Sequence, residues 1–128
     1  MTPLETAGAG GDPVALAITA LGLGAVYAVL AWGGRFGRLI GRNPAIGIRT
    51  GGTMSSPSAW RAGHAAAAKW LGIGAVIALM CGVAALLAVA SGSPGLAAIL
   101  GALGLATAVV VTLPAVAAAG KAAREARR

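Results

Sequence analysis

The residues able to do chemistry are few and crowd into one stretch. The lone histidine, His64, stands four positions after Trp60, so a helix sets both on one face, with Ala67 and Leu71 continuing it. Its imidazole could donate to a neighbouring loop or titrate near neutral pH. Upstream runs Asn43-Pro44-Ala45-Ile46-Gly47-Ile48-Arg49-Thr50-Gly51-Gly52-Thr53-Met54-Ser55-Ser56, which Pro and Gly punctuate too often for a helix. Arg49 offers a planar fork suited to a phosphate, a carboxylate or a helix C-terminus. Asn43, Thr50 and Thr53 can close such a loop through side-chain to backbone hydrogen bonds, and Trp60 suits a membrane interface. Two readings stay open: the cluster fastens a re-entrant loop onto its support, or it binds a lipid headgroup, a peptide or a protein partner. Catalysis by His64 is disfavoured, because no carboxylate or nucleophile stands near it and the chain has only three acids. With no triad, metal-ligand cluster or phosphate-cradling glycine loop in the sequence, no catalytic residue, metal or cofactor is expected.

The elements that carry this stretch follow from hydropathy. Of the 128 residues, 58% are hydrophobic and 10% charged, and the mean hydropathy is +0.85. That is too apolar for a water-soluble domain of one-domain size. Three segments, 14–32, 70–90 and 95–119, contain no charged residue. Each is long enough to cross a hydrocarbon core of about 30 Å. Strands in an open sheet would leave amides unpaired in lipid, so the spans are helices. Asp12-Pro13, Ser56-Pro57 and Ser93-Pro94 each place a capping side chain before a proline at the first helical position. Because Ser56-Pro57 lies well before its span, one long helix over 57–90 is predicted, with its first turns outside the hydrocarbon. The fold expected is all-α: a single membrane domain of three transmembrane helices, a cytoplasmic polar loop over 33–69, and a basic tail over 120–128.

Charge sets the topology. Residues 1–12 carry Glu5 and Asp12 and no base. Arg35, Arg38, Arg42, Arg49, Arg61 and Lys69 lie between the first two spans, and Lys121, Arg124, Arg127 and Arg128 follow the third. In a three-span chain both groups fall on one side, which puts the N-terminus outside and the C-terminus in the cytoplasm. Anionic headgroups at that leaflet account for the net charge of +7. With no aromatic-interleaved basic motif, nucleic acid is not an expected partner. The first span lacks the basic n-region and small-residue cleavage site of a signal peptide.

The spans hold no charged residue or histidine, which argues against an ion-coupled transporter. Small-residue rows at Ala20-Gly24-Ala28, Gly74-Ala78-Gly82 and Ala98-Ala102-Ala106 suit close helix approach within a bundle or a homo-oligomer. Cys81, the single cysteine, is read as a small apolar side chain, and Pro114 predicts a kink in the third span.

The loop and the start of the long helix resemble the SdpI family of bacterial membrane proteins. The shared signature is carried by Asn43, Gly47-Ile48-Arg49-Thr50, Thr53, Ser56 (or Ser55), Trp60 and His64. Gly51-Gly52 departs from it, since family members often have a proline after the Arg-Thr pair. The resemblance implies a family named for an immunity protein, longer than this chain, which protects its producer from a secreted peptide toxin and sequesters a repressor at the membrane. It makes Asn43, Gly47, Arg49, Thr50, Thr53, Ser56, Trp60 and His64 the expected binding residues. The function expected is that of a non-enzymatic inner-membrane protein that resists or senses a membrane-active peptide. Membrane lipids and a protein or peptide at the cytoplasmic loop are the expected partners. The alternative is a small accessory subunit of a larger membrane complex.

Overall fold

Among the residues described by the computed structural model, 11–36, 41–42 and 45–128, the regular structure is three α-helices and one 3-10 turn. Helix α1 spans Pro13–Phe36, the 3-10 turn Thr53–Ser55, α2 Pro57–Ala90 and α3 Pro94–Glu125. All three helices are long and apolar enough to cross a membrane. The sequence expectations for Asn43 and for Gly37 to Ile40 lie outside the described residues.

Two of the three capping pairs act as expected. Asp12 accepts from the amide of Val14 at 2.9 Å, and Ser56 accepts from the amide of Ala59 at 3.0 Å. Ser93 differs: its side chain makes no capping bond. Its amide instead donates to the Ala88 carbonyl at 2.8 Å, while that of Gly92 donates to Val89 at 3.0 Å. These two bonds close α2 in a Schellman turn, with Gly92 at φ +79°. The connection is so short that one residue ends α2 and starts α3, and the turn takes precedence over the cap.

Helix α2 packs along both α1 and α3. The interior is built of the smallest side chains: Ala17, Ala20, Ala67, Ala78, Ala85, Ala97, Ala108, Ala115 and Ala119 are fully buried. Large apolar side chains face outward instead, among them Leu113 at 73% exposure, Met80 at 67% and Ile99 at 67%. Water would make that arrangement untenable, whereas lipid solvates it.

Backbones meet at the rows on the first two helices. A β-carbon on Gly24 would lie 2.8 Å from Leu79, and one on Gly82 would lie 2.6 Å from Leu21. On α3 the row is displaced by about one residue from the expected one. Ala102 and Ala106 face outward, while Ala97, Gly101, Gly104 and Ala108 are buried. Gly101 closes on Leu16 and Gly104 on Cys81. Between α1 and α3, the Tyr27 hydroxyl hydrogen-bonds Thr112 Oγ1 and donates to the Ala108 carbonyl at 3.1 Å. That pairing satisfies three polar groups within the apolar bundle.

Candidate functional site

The loop preceding α2 is folded back onto the first turns of that helix and held by three side chains. His64 is 5% exposed. The amide of Ile48 donates to its Nε2 at 2.9 Å. A nitrogen that accepts carries no proton, so the proton sits on Nδ1, which donates to the Trp60 carbonyl at 2.9 Å. The expected direction is therefore reversed: His64 receives a hydrogen bond from the loop rather than giving one. Both ring nitrogens are occupied by backbone, which gives the imidazole a structural task.

Trp60 is also placed differently from expectation. It is 1% exposed, and its ring lies against His64 with centroids 4.0 Å apart. Gly47 crosses over this pair at φ +113°, in the left-handed region that favours glycine. A β-carbon there would run into His64 Nε2 and lie 3.0 Å from the Trp60 ring. The indole is thus the bed on which the loop rests.

Thr53 is the second clamp and is fully buried. Its Oγ1 donates to the Ile48 carbonyl at 2.7 Å and accepts from the Thr50 amide at 2.9 Å. In return, the Thr53 amide donates to Thr50 Oγ1 at 3.2 Å. Thr50 and Thr53 thus close the loop by side-chain to backbone bonds, as expected. Glycine at position 63 lets α2 admit this threonine, since a β-carbon there would lie 2.8 Å from Thr53 Cγ2 and 3.1 Å from the Ala119 carbonyl. Met54, absent from the expected set, contributes through its carbonyl, which accepts from Arg42 at 3.1 Å. A backbone acceptor leaves no mark in residue type.

Of the eight expected binding residues, seven are described, and they divide. Gly47, Thr53, Trp60 and His64 face inward and build the clamp. Ser56 caps α2, and Thr50 belongs to both the loop closure and the surface. Arg49 alone of the set is an exposed charge, making no hydrogen bond or ion pair among the described residues. Thr50, Gly52, Val116, Gly120, Arg124 and Arg127 line a cavity of about 410 Å³ between the loop and the end of α3. With Arg124 and Arg127 among hydroxyl and backbone groups, that cavity is cationic and suits an anionic or carbonyl-rich partner. Among the described residues, no three His, Cys, Asp or Glu side chains gather as a metal site would require.

Comparison with curated proteins and with solved structures returns no match. Among protein families, the SdpI/YfhL protein family matches residues 40–119, which takes in the loop, all of α2 and most of α3, while α1 lies outside. The match covers more than half of the chain and includes the clamp just described. The chain is a membrane-spanning member of the SdpI/YfhL protein family.

Proposed function

We propose that this chain is a non-enzymatic protein of the bacterial inner membrane, which resists or senses a membrane-active peptide through its clamped loop. The observation that carries the reading is the division of the signature. Its buried members are occupied in holding the loop, and Arg49 is left outside with no hydrogen bond or ion pair among the described residues. A rigid backbone presenting one exposed arginine, next in the chain to the Thr50 that shares a cavity with Arg124 and Arg127, is suited to recognition. The two occupied nitrogens of His64 weigh against acid–base work.

The reading sets the loop in the cytoplasm. Helix α2 has 34 residues and a length of about 51 Å, against a hydrocarbon core of about 30 Å. Arg61 and Lys69 lie in its first half, so residues 57–69 project and 70–90 span. The basic residues between the first two spans and those at the end of α3 then lie together on the inner face, with the N-terminus outside.

The test is genetic. A strain lacking the gene is compared with the same strain carrying it back, against a panel of secreted and synthetic membrane-active peptides. Lower survival of the deletion strain with at least one peptide, restored by the returned gene, is the expected result. Identical survival across the panel would remove the protective role and favour an accessory subunit, which mild-detergent purification would recover in a stable larger complex.

A further inference from the structure

A second site, sharing no lining residue with the cavity at the end of α3, lies in the seam between α1 and α2. There the two helices leave an open groove of about 1050 Å³. Its residues recur at helical spacing, Ala28, Ala31, Trp32 and Arg35 on α1, and Ala65, Lys69, Gly72 and Val76 on α2. Ala68 and Gly72 keep the floor low, and Ile73, Ile77 and Leu79 continue the apolar lining away from the loop. Among the described residues, the charged ones lining it are Arg35 and Lys69, both exposed and both toward the loop end. The Lys69 ammonium lies 4.9 Å from the centre of the Trp70 ring, which keeps it at that level.

We propose that this groove holds one anionic glycerophospholipid, with its phosphate between Arg35 and Lys69 and an acyl chain along the small-residue floor. Charge and length both select that occupant. Among the described residues no acid lines the groove, so none there offers the two cations a counter-charge. From Lys69 to Leu79 the helix rises about 15 Å, the depth of one leaflet of a core about 30 Å thick. A second copy of the chain fits less well. Among the described residues the acids are Asp12 and Glu125, at the ends of α1 and α3, so a copy packed alongside brings no carboxylate to the level of Lys69. The site shares no residue with the family signature and stands independently of the peptide-related reading.

The experiment uses the full chain, stripped of lipid in a neutral detergent. It is titrated with palmitoyl-oleoyl phosphatidylglycerol or with the phosphatidylcholine of the same chains, and bound lipid is counted by native mass spectrometry. Two basic residues near the headgroup predict a preference for phosphatidylglycerol of roughly 30-fold. An Arg35→Gln, Lys69→Gln double variant, altered only at exposed positions, brings the two lipids within roughly threefold of each other. Gly72→Leu, whose β-carbon would have Ala31 as its nearest neighbour at 3.9 Å, fills the floor and weakens both lipids. Equal affinities in the unaltered chain, a preference that survives the double variant, or a protein dimer that excludes lipid would each overturn the site.

Discussion

At the scale of the residue, His64 joins loop to helix and does so only in its neutral form. Nε2 accepts the Ile48 amide, and a protonated ring would set two donors against each other. Among the described residues, the imidazole meets Gly47 and Ile48 in the loop and Trp60 on its own helix, and none of these contacts is an ionisable side chain. Burial holds its pKa below the ordinary 6.5, against the opposing pull of the Trp60 carbonyl. The residue lies in the part of α2 read as projecting from the hydrocarbon. The unfolded imidazole takes up its proton first as pH falls, so the stability is complete above pH 6.5 or so. It declines as pH drops through that value and levels off once the folded ring is also protonated. The melting temperature in mild detergent is therefore expected to fall between about pH 7 and about pH 5. His64→Phe should melt lower at neutral pH and vary less over that interval. An unaltered chain whose melting temperature is flat would contradict the clamp as described.

At the scale of the element, stability comes from backbones that approach through small residues, because lipid gives apolar side chains no incentive to hide. Gly34 is the strictest of these positions, since a β-carbon there would collide with the backbone carbonyl of His64, which cannot yield as a side chain can. Gly34→Ala is expected to cost about 1–3 kcal/mol by overpacking. Gly72→Ala, in open space apart from Ala31 at 3.9 Å, should be neutral or gain up to about 1 kcal/mol of helix propensity. Unfolding of both variants in mixed micelles checks the contrast, and equal effects would refute it. The bounds of α2 were legible because Ser56-Pro57 and the Ser91–Ser93 link mark them locally. The packing row of α3 was not, since almost every position there is small and no polar face fixes the phase. Trp60 was read as an interfacial residue for a related reason. Its burial depends on Gly47 folding back across it, a long-range contact that spacing alone does not encode.

At the scale of the whole molecule, the chain is inverted relative to a soluble bundle, with alanine and glycine inside and leucine, isoleucine and valine outside. Outside the α1–α2 groove such a scaffold offers lipid an ordinary surface, so in the proposed reading peptide recognition falls to the polar end. There the clamp spends most of the signature on rigidity, and Arg49 is the exposed charge that the proposed function assigns to contact. The measurement that tests this division most directly compares Arg49→Ala with Thr53→Val, scoring melting temperature in mild detergent beside protection from the peptide identified genetically. Thr53→Val strands the Ile48 carbonyl and the Thr50 amide, at an expected cost of about 1–3 kcal/mol. Arg49→Ala should melt with the unaltered chain and still lose protection, while Thr53→Val melts lower. Full protection by Arg49→Ala, or a melting temperature as low as that of Thr53→Val, would contradict the account.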